Sequence, residues 1–298
     1  GDAIGPGIPP ATRSDAPAAG PRRQGDRRVG PVCDLQREFW LARRIHPDAS
    51  TTVGFRLRLR GVTDRTRVQA ALDDLVRRHH VLRTTFEEWE GGPVAVVHPP
   101  APVPLTDHDL TGVTGDDRDR QAARVAAEVA STVFDLAADV PLLRAGLIHT
   151  GPDTAELVVA VDHAAFDGWS IGLVVSELAT ALTGDPVPEP PLQVGDVARY
   201  ERALADDPTT TTALRRFWRE RLREVDPPRE LTGRRADRRS ARGERVRRRL
   251  DPRLAEALDA LARDCRVSRF AVYAAGLAVL LHRLTGGSTV VIGTAAAL

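Results

Sequence analysis

Methionine, lysine and asparagine are all missing from this 298-residue chain, and cysteine occurs only twice. Without lysine, all 42 cationic side chains are arginine, which points to a coding bias toward Arg, Ala, Gly and Pro rather than to a binding function. Without methionine, residue 1 is not expected to be a native start. Two cysteines, Cys33 and Cys265, are too few for a disulfide framework. Their apolar surroundings predict two buried thiols in a reducing compartment. No apolar run approaches the ~18 residues that a membrane span needs. The longest, Phe270 to Leu281, is too short, and the N-terminus has no apolar leader-like core. A cytoplasmic protein without a membrane partner is the expectation. Charge of one sign is also lacking: 42 basic against 41 acidic residues leave a net charge of +1, which argues against a nucleic-acid partner.

What remains is the composition of a folded chain, 42% hydrophobic and 28% charged, long enough for one large or two small domains. Residues 1–30 are rich in Gly, Pro, Ala and Arg without apolar periodicity, and are expected to be a disordered tail. Helical spacing begins within Pro31 to Arg44. Strict alternation of Val53, Phe55, Leu57 and Leu59 predicts a half-buried strand. Asp64 to His79 reads as a helix, and Leu82 to Trp89 with Val94 to Val97 as a hairpin about the turn at Gly91-Gly92-Pro93. A long amphipathic helix is expected over Asp117 to Phe134. Strands follow at Leu142 to Thr150 and Glu156 to Val161, and then a helix capped by Ser170. Pro186 to Pro191 marks a boundary, so residues 31–185 form one lobe and 186–298 a connection with the start of another. Helices are predicted at Gly195 to Ala205, Thr210 to Val225, Pro252 to Arg263 and Ser268 to Leu284, with a last strand at Thr289 to Ile292. Between Arg229 and Arg249, ten arginines face three acids, a local charge of +7 that suits an exposed connection able to touch an acidic partner.

The chemistry-bearing segment is Glu156 to Ser170, ELVVAVDHAAFDGWS. An apolar strand runs into a polar loop that closes on Asp167-Gly168 before a helix. A strand end fixes the backbone, so His163 is aimed while its ring stays within reach of a substrate. Gly168 offers the positive φ of a tight turn. Asp162, His163 and Asp167 lack the Cys or second His of a metal set, and no metal is expected. Walker, dinucleotide-binding and serine-elbow motifs are absent.

His163-Ala164-Ala165-Phe166-Asp167-Gly168 resembles the HHxxxDG signature of nonribosomal peptide synthetase condensation domains and of chloramphenicol acetyltransferase. Trp169-Ser170 and Glu177 extend the likeness toward condensation domains. Leu35-Gln36-Arg37-Glu38-Phe39-Trp40 is similar to their opening helix, and Arg78 to Phe86 (RHHVLRTTF) to their RHxxLRTxF motif. Phe134-Asp135-Leu136, Pro141 to Arg144, Asp196 with Tyr200, Phe217-Trp218 and Val291 to Thr294 follow in the family's order. The chain departs from the pattern at Asp162, which stands where the first motif His would be.

The resemblance implies an α/β, chloramphenicol acetyltransferase-like two-lobe fold with a mixed sheet, its N-terminal lobe complete and its C-terminal lobe partial. It implies an acyl or peptidyl transferase that forms an amide between two carrier-bound thioesters. His163 would be the catalytic base or positioning group and the Gly168 N–H a donor to the oxyanion. Asp162, Asp167, Arg83, Arg144, Trp169 and Ser170 would support the site, with Asp167 paired to Arg83 or Arg144. His79-His80 reads as a packed or capping element. The chain would bind no cofactor of its own. Its substrates would arrive on the phosphopantetheine of donor and acceptor carrier proteins, beside adenylation or carrier modules. A catalytically degenerate domain that docks carriers or a tailoring enzyme, and an acyltransferase to a free amine or alcohol, are the alternatives.

Overall fold

The computed structural model describes residues 22–24, 27–47, 50–90, 92–223, 225, 246–287 and 289–294. Two compact units divide the chain, residues 1–207 and 208–298. The division falls after Asp207 rather than at the proline-rich boundary near residue 185, because the next helix belongs with the first unit.

The first unit contains two four-stranded sheets. One has the order β3 (Thr52–Arg60), β8 (Thr154–Asp162), β7 (Leu143–Gly151), β6 (Leu105–Asp109). Its pairs are antiparallel except β6 with β7, which is parallel, so the sheet is mixed. Helices α2 (Arg65–Arg78) and α4 (Gly168–Thr183) cover one face, and α3 (Gly115–Ala130) covers the other. Period-two alternation distributes the central strands between the two faces. Leu157, Val159 and Val161 enter the α2/α4 core with Leu72, Leu75, Val174 and Leu178. Val158 and Ile148 pack with Val125 and Ala126 of α3. A strand covered on both faces must be apolar at nearly every position, which is why residues 157–161 read as a continuous run. Two glycines let α3 lie close: a Cβ on Gly54 would stand 2.8 Å from the Ala130 Cβ, and one on Gly146 3.0 Å from Val129 Cγ2.

The second sheet has the order β1 (Arg22–Gln24), β2 (Arg27–Gly30), β5 (Gly92–Val97), β4 (Thr84–Trp89). Strands β1 and β2 therefore correct the expectation of a tail without order as far as residue 30: the backbone of 28–30 pairs with Ala95 to Val97, which needs no apolar pattern of its own. The rest of that expectation, residues 1–21 and 25–26, lies outside the described residues, as does Gly91 of the predicted hairpin turn. This sheet and α1 (Asp34–Ile45) enclose a smaller core of Val32, Phe86, Phe134, Leu136, Leu142 and Ala164. Between α2 and β4 a 3-10 turn, His80–Arg83, replaces the expected start of the strand, and Thr84 Oγ1 closes it on the His80 carbonyl at 2.7 Å. Helix α5 (Val194–Asp206) joins this unit through Glu201, which accepts from the Asp34 N–H at 2.8 Å.

The second unit contains α6 (Pro208–Leu222), α7 (Pro252–Asp264) and α8 (Arg269–Thr285). The expected helices form at α7 and α8. Asp251 caps α7 with Pro252 at its first position, Ser268 caps α8, and Gly286 ends it with φ 69°. Residues 289–292 form no strand, since no neighbouring strand pairs with them among the described residues. Cys33 is buried as expected, but Cys265 is exposed at the end of α7. Of the arginine-rich stretch, all but residues 246–249 lies outside the described residues. No single described helix is long and apolar enough to cross a membrane.

Candidate active site

Strand β8 ends at Asp162, between the ends of β3 and β7, and the next five residues turn into α4. Asp162 is 0% exposed. Its Oδ2 accepts from Thr51 Oγ1 at 2.8 Å and from the Arg43 guanidinium at 3.2 Å, and its Oδ1 accepts from the Ala164 N–H at 2.9 Å. Arg43 also donates to Thr51 Oγ1 and to the Phe134 carbonyl, each at 3.2 Å. A buried carboxylate is stable only when paired and fully hydrogen-bonded, and this one is both.

His163 follows directly. Its backbone N–H donates to the Thr51 carbonyl at 2.9 Å. Its ring stacks on Phe39, centroids 4.7 Å apart and planes inclined by 22°. The ring Nδ1 is buried without a hydrogen-bond partner. Such an orphan is costly, by about 1–3 kcal/mol.

Helix α1 supplies the supports. Gln36 is buried and donates from Nε2 to the Ala164 carbonyl at 3.5 Å while its Oε1 accepts from the Cys33 N–H at 3.2 Å. Gln36, Phe39 and Arg43 are spaced i, i+3, i+7, so one stripe of the helix meets Ala164, His163 and Asp162 in turn. Sequence reading treated α1 only as an opening helix and passed over Gln36 and Arg43 as supports. The available signal was two polar residues on the same stripe as the aromatic Phe39.

Asp167 does not pair with an arginine, which corrects the expectation for Asp167, Arg83 and Arg144. It is the N-cap of α4. Its Oδ1 accepts from the Ser170 N–H at 2.8 Å and Oγ at 2.6 Å, and Ser170 Oγ accepts from the Asp167 N–H at 3.5 Å. Ser170 is thus the reciprocal residue of the capping box, not the cap itself. The Ser170 hydroxyl is the main reason that the Asp167 carboxyl lies below the usual range, helped by backbone N–H donors and the nearby His163 against a smaller desolvation cost. Arg83 donates instead to the carbonyls of Val76, His98 and Arg77. Arg144 bridges Asp139 at 2.9 Å and the Pro141 carbonyl at 2.7 Å, over the Phe134 ring. Gly168 opens α4 without a positive φ, and a Cβ there would meet nothing within 4 Å, so the turn does not require glycine. Trp169 is 80% exposed.

Behind the loop, Glu177 of α4 binds both the His79 ring (2.8 Å) and the buried Arg78 (2.7 Å), while Arg78 also reaches Asp74 at 2.7 Å. Gln193 bonds the Arg78 carbonyl and the His80 N–H. This network fastens the end of α2 to α4. Among the described residues no cluster of His, Cys, Asp or Glu is arranged to hold a metal ion.

The family model of the condensation domain matches residues 27–297. Phosphinothricin tripeptide synthetase PhsB of Streptomyces viridochromogenes is 35% identical over 95% of this chain, which spans 25% of that protein. Chondramide synthase cmdD of Chondromyces crocatus is 32% identical over 90% of the chain, spanning 7% of that protein. Among solved structures, the X-domain from teicoplanin biosynthesis superposes with a TM-score of 0.74 at 28% identity, over 90% of this chain and 60% of that one. The first condensation domain of the calcium-dependent antibiotic synthetase, in complex with a substrate analogue, gives 0.69 at 25% identity, over 87% and 61%. The likeness covers the mixed sheet and the segment bearing His163 alike, and the chain belongs to the condensation-domain family of nonribosomal peptide synthetases.

Proposed function

We propose that this chain takes part in amide formation between two carrier-bound thioesters, with His163 facing the reacting amine. The observation that carries the reading is the unpartnered Nδ1 of His163, whose ring stacks on Phe39, whose backbone is held by Thr51, and whose preceding residue, Asp162, is tied to Arg43. An α-amine has a pKa of ~7.7–8, so much of it is neutral near pH 7 and attack needs no strong base. The amine nitrogen attacks the donor thioester carbon, the C–N bond forms and the carbonyl electrons move to oxygen. His163 takes the proton that the nitrogen sheds. The intermediate then collapses, breaking the C–S bond, and the departing thiolate is protonated. General-base help contributes ~10²- to 10⁴-fold, and positioning can contribute more. The N–H of Gly168, in the first turn of α4, is the proposed donor to the oxyanion, since the first-turn N–H groups of a helix have no carbonyl partner within it. Carrier proteins presenting phosphopantetheine thioesters are the proposed partners.

The test is His163→Ala in the intact protein with both carriers loaded, following the amide product by mass spectrometry. Loss of product by ~10²-fold or more, with the circular dichroism spectrum unchanged, is expected. Product at the parental rate would exclude a role for His163. Asp162 in place of the motif histidine favours one alternative, a domain that docks carriers without turnover. Carrier binding with no product from the parental protein would establish it.

A further inference from the structure

A pocket lies in the first unit, with a cavity volume of about 320 Å³, lined by Arg28, His80, Arg83, Val97, His98, Pro99 and Pro100. All its ionisable lining groups are cationic or protonatable, and no carboxylate lines it. Among the described residues, neither Arg28 nor Arg83 forms an ion pair. Arg83 is locked by three backbone carbonyls, which fix its guanidinium without neutralising it. The His98 ring is oriented by Thr85 Oγ1, 2.7 Å from Nε2. His80 lines the pocket and is held through its backbone N–H by Gln193 at 3.0 Å. Arg28 is exposed while Arg83 is half-buried, and an anion between them would offset the cost of holding the Arg83 charge partly out of water without a carboxylate bonded to it.

We propose that this pocket binds the phosphoryl group of a small anion through Arg28, Arg83 and the two imidazoles. Planar guanidinium forks suit phosphate oxygens, and the two prolines wall the site rigidly. Burial and like charge act on both histidines. Burial first, and then the charges of Arg83 and Arg28, hold His80 below its ordinary value, opposed by Asp196 and Glu189. His98 is lowered by burial, Arg27 and Arg83, opposed by Glu87. A bound anion favours the protonated rings, so binding should strengthen as the pH falls through the lowered range in which they gain protons. The site stands apart from the His163 chemistry and does not depend on it.

The experiment is titration of the intact protein with inorganic phosphate by calorimetry and by the imidazole resonances, with chloride at matched ionic strength as control. Saturable one-to-one binding is expected, weakened roughly tenfold or more in Arg28→Gln and in His80→Gln. Both variants leave the carbonyl-bonded Arg83 in place, so a failure to fold does not confuse the result. Sulfate, whose charge is constant over this range, serves for the pH series. Comparing phosphopantetheine with pantetheine separates two sources. Tighter binding of phosphopantetheine than of phosphate, with none of pantetheine, identifies a carrier-borne arm; equal binding identifies a free phosphorylated molecule. No saturation, an equal response to chloride, or indifference to both substitutions would overturn the proposal.

Discussion

The two acids that bracket the His163 loop do opposite work. Asp162 is fully buried and reaches across the fold to α1, where Arg43 is 119 residues away in sequence. Asp167 is exposed and bonds only three residues ahead, to Ser170. One end of the loop is therefore held by tertiary structure and the other by the helix it starts. The difference teaches where the rigidity of the site comes from: the His163 ring and backbone share the Asp162 end, through Phe39 and Thr51, while Asp167 sets where α4 begins.

The comparison predicts unequal costs. The largest falls on Asp162→Ala, which removes the buried carboxylate facing the Arg43 guanidinium, a side chain that is only 14% exposed. Removing one partner of a buried pair costs about 3–5 kcal/mol. Urea denaturation should show it, and a change near zero would mean that water solvates Arg43 as well as Asp162 does. A smaller loss, about 1 kcal/mol, is expected for Asp167→Ala, the ordinary value of a lost N-cap. A loss as large as that of Asp162→Ala would erase the distinction between the two ends. The smallest effect is one of pH. The Asp167 carboxyl is held below its usual value by Ser170, so its cap stabilises the fold fully above about pH 4 and is lost as pH falls through the lower folded value. The stability gap between parent and Asp167→Ala should be constant from pH 5 to 7 and close below about 4. A gap that widens on acidification would reverse the sign.

Local signals were legible in the chain. Asp64, Asp251 and Ser268 cap the helices they precede, the β7–β8 hairpin follows its turn, and the His163 loop stands at the end of a buried strand. The family and the mixed α/β fold followed from motif order. The unread parts are long-range. Strand β6 (LTDHD) carries little apolar pattern, because its pairing with β7 comes from backbone bonds at a sheet edge. Strands β1 and β2 lie in a glycine- and arginine-rich stretch for the same reason. The arginine pair expected of Asp167 belongs to Asp162, because sequence shows that an acid neighbours a helix start but not which acid is buried. Arg83 and Arg144 were nearby in motif order, yet both are spent on backbone carbonyls and Asp139.

Helix α1 holds the His163 loop through the Arg43–Asp162 pair. The direct measurement is a double-mutant cycle, Arg43→Ala, Asp162→Ala and both together, read in unfolding free energy and in rate of product formation. Strong coupling is predicted, with the double variant losing less than the two single losses combined by at least about 1 kcal/mol, in both readouts. Losses that add to within about 0.5 kcal/mol would contradict the account, since the two side chains would then act independently.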